Sequence, residues 1–427
     1  MKLEENYMRP VYTHTHLSYL ILSVMLFSRR RNFIKRISLT TVQICLAAFG
    51  LIFVILPLIF RYSVTLQRGI LFLTFITYPR DLDLSNPSSV GLYATRSFFL
   101  NVRDSDVDNE TTNNEASRKT SIIRIGIWHV LPRHVAKRFA KELHVNTDVF
   151  DDTDRNVTEI KDETLDLLES VMKTSFPNIN RENENFFYER LMKMPGNTVI
   201  LYLHGNTASR GSGHRLDVYK MLRNLGYHVI ALDYRGYGDS DPISPTEEGV
   251  VRDAMTVYNY ICNITTNPVI IWGHSLGTGV ATNMLSQLNY MNEKGPKGVI
   301  LESPFTNIRD EIRQHPFARP FKHLPWFDLT IARPMYSNSL RFESDQHISE
   351  FRQPIMILHA EDDYVVPFQL GYQLYRIALD TRGKSWGPVE FHRFEASHHY
   401  GHKYIVHAPE LPELVKNFVI TYRNEVF

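Results

Sequence analysis

The sequence predicts an α/β protein: a mostly parallel sheet with helices on both faces and a cap insertion, preceded by one transmembrane helix. Three observations predict it. From residue 198 onward, short apolar runs rich in β-branched residues alternate with helical stretches. The run Val269–Trp272 passes through Gly273-His274-Ser275-Leu276-Gly277 into another helical stretch. Near the N-terminus, Val42 to Phe60 carries no charged residue; its ~19 residues at ~1.5 Å each cover roughly 28 Å, close to the hydrocarbon thickness of a bilayer.

The chain has 427 residues, 43% of them hydrophobic, enough for one large domain with an appendage or for two small ones. A net charge of +1 offers no basic excess to neutralise phosphates, which argues against a nucleic-acid partner. The two cysteines, Cys45 and Cys262, fall in an apolar run and a helical stretch, so no disulfide framework is expected.

Residues 1–41 read as an N-terminal tail. Within it, Leu17 to Phe27 is too short to span as a helix, and its charges (Arg29, Arg30, Arg31, Lys35, Arg36) follow rather than precede it, unlike a signal peptide. It reads as a surface-lying or partly buried segment. The span is 42–60. Basic residues cluster on its N-terminal side, with fewer after it (Arg61, Arg68), which predicts a cytosolic N-terminus and a lumenal or extracellular main domain. Triplets for N-glycosylation at Asn109, Asn156 and Asn263 agree with that topology. Residues 61–89 form a juxtamembrane segment, in which Ile70 to Ile76 reads equally as a patch resting on the bilayer or as the first packed piece of the main domain.

The main domain is expected over 90–427. Tyr93–Leu100 and Ile122–Trp128 alternate as two strands of an opening hairpin, with a polar exposed loop at 103–120 between them. Residues 133–190 are charged and partly helical. Strands then follow at Val199–Leu203, Tyr227–Asp233, Val269–Trp272, Val299–Glu302 and Pro354–His359, with helices at 213–225, at 246–261 and after Ser275. Residues 306–345 interrupt this alternation and read as a cap. Ligands of such sheets sit at the C-terminal ends of the strands, where the sequence motifs fall.

Strand, sharp Gly-x-Ser-x-Gly turn and helix is the setting of a nucleophile elbow, which makes Ser275 the candidate nucleophile. Its hydroxyl requires a base, an orienter for that base and donors for an oxyanion. In elbow-type chains the acid and base follow the serine, which excludes Asp233 as the acid and leaves Asp233–Ser240 as a structural turn. The loop after the late strand offers Glu361, Asp362 and Asp363; Asp363 is favoured by its place shortly before Pro367, with Asp362 left open. For the base, His398, His399 and His402 compete. His402 follows a glycine and suits a loop reaching back over the sheet, with His398 and His399 left open. No metal-ligand spacing accompanies these histidines, and the chemistry needs no cofactor. The oxyanion donors are the backbone N–H groups of Leu276 and of Asn206 in the turn His204-Gly205-Asn206, where His204 reads as packing.

Gly273–Asn283, Leu301–Arg309, Leu358–Asp363, Val366–Gly371, His402–Ile405 and Pro409–Pro412 together resemble the α/β-hydrolase superfamily, and within it the α/β-hydrolase domain-containing protein 12 family, over about residues 70–425. The resemblance implies an α/β-hydrolase fold and Ser275, Asp363 and His402 as the triad. It also implies a membrane-anchored lipase acting on lysophosphatidylserine and monoacylglycerols on the lumenal side of the endoplasmic reticulum. The 103–120 insertion and the segment before the span depart from the family pattern. On the cap, Arg319 and Lys322 are candidates to meet an anionic head group. Two other classes stay open: an acyl-protein thioesterase using the same triad, and a non-catalytic, membrane-tethered binding protein on a hydrolase scaffold.

Overall fold

The structure, a computed structural model, describes residues 13–104, 121–147, 170–176, 179–318 and 320–425. The chain divides into two compact units, the first ending at Tyr62 and the second spanning Ser63–Phe427.

The first unit is helical. Helix α1 (Thr13–Gly50) passes through a π turn at Leu51–Ile55 into α2 (Leu56–Tyr62). Pro57 has no N–H to give the carbonyl one turn back, which accounts for the widened turn before it. Among the described residues, the stretch apolar and long enough to cross a membrane is Leu39–Tyr62, 24 residues, wider than the expected 42–60. The Leu17–Phe27 run lies in the same helix as the start of that stretch, and its side chains from Leu22 to Phe27 are exposed.

The second unit opens with α3 (Val64–Phe72), capped by the Ser63 hydroxyl, which accepts the Leu66 N–H at 3.2 Å. An eight-stranded sheet follows, in the order β1-β2-β4-β3-β5-β6-β7-β8. β1 (Thr95–Asp104) and β2 (Ser121–Val130) form an antiparallel hairpin, and β2 also runs antiparallel to β4 (His228–Leu232). The hairpin strands reach Asp104 and Ser121, so β1 takes in the first residues of the expected loop; 105–120 lie outside the described residues. β3 (Val199–Leu203), β4, β5 (Val269–His274), β6 (Gly298–Glu302), β7 (Ile355–Ala360) and β8 (Val389–Phe394) are parallel. β3 to β7 are buried along their whole length, as β-branched strands covered on both faces must be.

The covering helices include α4 (Arg133–Arg138), α5 (Glu184–Lys193), α6 (Gly213–Asn224), α7 (Glu247–Ile264) and α8 (Leu276–Tyr290). The chain between β6 and β7 carries α9 (Ile308–Gln314), α10 (Arg333–Ser337) and α11 (Ser344–His347), the segment expected as a cap. It is held together by Asp328, which pairs with Arg309, Arg313 and Arg333 at 2.9–3.1 Å. Helices α12 (Phe368–Thr381) and α13 (Leu411–Tyr422) complete the unit. Cys45 and Cys262 are both free thiols.

Register decides what the sheet presents. Leu203 is level with Gly273, His274 with Glu302, and Ala360 with Phe394. The loops after β3, β5, β6, β7 and β8 therefore leave the sheet along one edge.

Candidate active site

Ser275 sits at φ 54° and ψ −119° between β5 and α8. A non-glycine residue adopts that conformation only where its surroundings force it. The two glycines do so. A Cβ on Gly273 would lie 2.5 Å from the Gly277 carbonyl oxygen, and one on Gly277 would lie 2.0 Å from that of Leu203. Strand and helix thus approach closer than side chains permit. The Ser275 N–H donates to the Glu302 carbonyl at 2.9 Å, which ties the turn to β6.

The loop after β7 carries the candidate acid. Asp363 Oδ1 accepts the N–H groups of Val365 and Val366, both at 2.9 Å, and Oδ2 lies 2.8 Å from His402 Nδ1 and 3.5 Å from His359 Nε2. Burial pushes this carboxyl up, but the charge and hydrogen bonds of His402 and His359 outweigh it and hold Asp363 well below the usual carboxylate range. It is ionised throughout the neutral range. The neighbouring acids have other work. Asp362 accepts the Gly401 N–H at 3.0 Å, and Glu361 accepts the Ala396 N–H at 3.2 Å. The structure brings neither Asp362 to a histidine nor His398 or His399 to Asp363. The His398 ring lies tilted against Tyr400 at 5.4 Å, and His399 takes φ 55° at the turn between them.

His402 is brought beside the elbow by His274, whose Nε2 donates to the His402 carbonyl at 2.9 Å; the two rings are 4.9 Å apart. A carbonyl only accepts, so His274 carries its proton on Nε2. Burial, then the His402 charge, pushes His274 down to about 3, so it stays neutral.

The turn after β3 borders Ser275 on the other side. A Cβ at Gly205 would lie 3.2 Å from Ser275 Cβ, a tight contact that the missing side chain avoids. The next residue is Asn206, whose side chain is committed to the Leu71 carbonyl at 3.0 Å. Leu276 opens α8, so its N–H has no carbonyl a turn earlier to reach. Arg215, buried in α6, grips the loop by its carbonyls: Thr207 at 2.6 Å, Ser209 at 2.5 Å and Gly205 at 3.4 Å. Asp233 fixes the far end, taking the Arg210 N–H and guanidinium at 2.6 Å each. His204 is buried with Nδ1 donating to the Gly205 carbonyl at 2.6 Å, and burial drives it far below its ordinary range.

Sequence reasoning missed the cap side of the site. Glu311 on α9 is pushed up to about 8 by burial and then by the negative charge of Asp363. His315, a turn later, is pushed down by burial and then by the charge of His402. The charges of Asp363 and His402 therefore reach these two groups. The available signal was their i, i+4 spacing in the first helix after β6. Of the head-group candidates, Lys322 is exposed and Arg319 lies outside the described residues. Asn263 is exposed near the end of α7, whereas Asn109 and Asn156 lie outside the described residues.

Comparison with known proteins now has a geometry to meet. Residues 195–345, which hold the elbow and most of the cap, match a family model described as serine aminopeptidase, S33. A lysophosphatidylserine lipase named ABHD12 from Danio rerio is 35% identical over 86% of this chain and 81% of its own. The chain belongs to the ABHD12 family. The Mus musculus ABHD12 is 34% identical over 89% of this chain and 80% of its own, and the Homo sapiens protein ABHD12B is 40% identical over 46% and 53%. A Pyrococcus furiosus esterase, Pf2001, is 15% identical over 82% of this chain and 100% of its own, with a TM-score of 0.46. Family membership and the serine-hydrolase match make this ABHD12-family chain an ester-hydrolysing enzyme of the α/β-hydrolase fold. The one long apolar helix among the described residues, near the N-terminus, is compatible with a single membrane pass.

Proposed function

We propose that this protein is a membrane-anchored serine hydrolase that cleaves the acyl ester of lysophospholipids, lysophosphatidylserine among them, and of monoacylglycerols. The observation that carries the proposal is the 2.8 Å contact between His402 Nδ1 and Asp363 Oδ2, on a loop hydrogen-bonded to the residue before a strained elbow serine. The relatives named lysophosphatidylserine lipase support the head group.

Ser275 Oγ attacks the ester carbonyl while His402 Nε2 takes its proton. Asp363 holds the Nδ1–H tautomer and stabilises the imidazolium. The backbone N–H groups of Asn206 and Leu276 receive the oxyanion, each contributing ~10²–10³ in rate. The carbonyl reforms as the ester C–O bond breaks, and the departing glycerol oxygen takes the proton from His402. Water, deprotonated by His402, then attacks the acyl-serine; the fatty acid leaves and Ser275 regains its proton. Arg319 and Lys322 on the cap would pair with an anionic head group; an unchanged preference for anionic lipid after Arg319→Ala with Lys322→Ala removes that part.

The basic cluster at Arg29, Arg30, Arg31, Lys35 and Arg36 supports a cytosolic N-terminus and a lumenal catalytic unit in the endoplasmic reticulum. Exposed Asn263 is then open to glycosylation. Reaction of Ser275 with a fluorophosphonate probe, abolished by Ser275→Ala, tests the catalytic reading. A glycosidase shift of the cell-expressed protein tests the topology, and an unchanged mobility reverses it.

A further inference from the structure

The second unit begins with a stretch that faces two ways. In α3, Gln67, Leu71 and Phe72 are buried, while Leu66 and Ile70 share the outer face. The exposure continues past the helix: Phe75 is 72% and Tyr78 73% exposed, and Ile70 and Ile76 are also exposed. Large apolar side chains left contiguous on a surface mark an interaction site. The covering partner follows from the chain itself. Tyr62 ends the 24-residue apolar helix, and Ser63 begins this stretch with no linker between them. If Leu39–Tyr62 spans a bilayer, residues 64–78 start at its surface.

The inner face of the same stretch is built into the site. The Leu71 carbonyl accepts the Asn206 side-chain amide at 3.0 Å, and the Ile76 carbonyl accepts the Ala208 N–H at 2.9 Å. Tyr237 donates its hydroxyl to the Phe72 carbonyl at 2.5 Å. On the cap side, Asn338 Nδ2 donates to Gln67 Oε1 at 2.6 Å, and the Phe72 ring meets Phe342 edge-on at 6.3 Å. One segment thus joins the oxyanion loop to the end of the cap.

We infer that Ile70, Phe75, Ile76 and Tyr78 form a lip that docks on the phospholipid surface, and that the oxyanion loop hangs from the backbone of that lip. The inference rests on the membrane-anchored reading above. Docking then sets the frame around Ser275, and lipid substrate reaches the site from the bilayer side.

The test uses the full chain in phosphatidylcholine vesicles. A polarity-sensitive fluorophore is attached at Phe75→Cys in a Cys45→Ala, Cys262→Ala background, with Tyr290→Cys, 91% exposed at the end of α8, as the control site. Doxyl-labelled lipid should remove most of the emission at the first site and little at the second. Equal quenching at both overturns the inference. In a second arm, Ile70→Ser, Phe75→Ser and Ile76→Ser are combined. The ratio of turnover on vesicle-borne lysolipid to turnover on a soluble short-chain ester should fall about tenfold, as expected when a few exposed apolar contacts with lipid are lost. An unchanged ratio also overturns it. Quenching reads no turnover, so quenching of the protein labelled at Phe75→Cys together with no fatty-acid release by the wild type sinks the substrate reading and leaves the lip standing.

Discussion

Asp363 and His402 meet at 2.8 Å across a loop that two further acids hold in place. Glu361, Asp362 and Asp363 each bind a different point of the segment 396–402: the Ala396 N–H, the Gly401 N–H and the imidazole. Three consecutive carboxylates act as one clasp, and only the last touches a histidine.

This division of labour separates neighbouring substitutions. Asp363→Asn keeps the shape but offers an amide donor to His402 Nδ1, which favours the wrong tautomer. Turnover should fall by about 10³–10⁴ with the fold intact. Asp362→Asn still accepts from Gly401 and should retain activity within a few-fold of the parent. Steady-state kinetics and a circular dichroism spectrum of both variants decide it; equal losses would mean the clasp, not the tautomer, is what matters.

Arg215 holds the loop proposed to carry an oxyanion donor. Arg215→Lys cannot reproduce a fork that reaches three carbonyls, so the Asn206 N–H should lose its aim. The expected result is a kcat loss of about 10–10²-fold with KM little changed, since misplacing a donor by ~1 Å costs on that order. A pure KM effect would place Arg215 in substrate binding instead.

Much of the site was legible because it is local. Periodicity marked β3 to β7, and the Gly273–Gly277 spacing encodes an approach that only glycine permits. The chain order of serine, acid and base narrowed the acid to three residues and the base to three. The folded chain gives each of them a different contact, which no spacing encodes, and the Asp363–His402 contact supports the proposed pair. Glu311 and His315 went unseen because the charges acting on them, those of Asp363 and His402, come from distant parts of the sequence. The run Ile70 to Ile76 offered two readings, docking patch or first packed piece of the main domain. Its inner face is packed, and its outer face is the exposed half of the same turn. The N-terminal helix shows the opposite failure. Hydropathy divides it at the basic cluster 29–36, but Arg and Lys are good helix formers and the backbone runs on through them.

Glu302 makes stability depend on pH in a stated direction. It is buried beneath the elbow with Oε2 accepting the Trp272 indole at 2.9 Å, and burial pushes it up to about 7. The fold therefore holds its proton more tightly than the unfolded chain does, and stability from this group is full below the unfolded value near 4.5 and lost as pH rises through 7. Glu302→Gln keeps an acceptor for Trp272 without the charge. It should raise the melting temperature at pH 8 and leave it nearly unchanged at pH 4.5, a gain of on the order of 2–3 kcal/mol at the higher pH. A gain that is the same at both pH values would show that ionisation is not the cause.

The buried pair His129 and His228 acts in the other direction. Their rings share a 2.9 Å hydrogen bond between β2 and β4, and burial is the largest cause pushing both down, His228 to about 3. The unfolded chain binds protons first, so stability is lost as pH falls below 6.5, at roughly 1.4 kcal/mol per pH unit for each histidine. A combined His129→Gln and His228→Gln variant should show a shallower decline in melting temperature from pH 6.5 to 5. An unchanged slope would assign the acid sensitivity elsewhere.

The most direct test of the central claim is fatty-acid release by the membrane-reconstituted protein from lysophosphatidylserine and from monoacylglycerol, with Ser275→Ala measured alongside. Release from both that disappears in the variant is the predicted result, and the ratio ranks the head groups. Release from neither above the Ser275→Ala background would contradict the lipase reading while leaving the hydrolase fold in place.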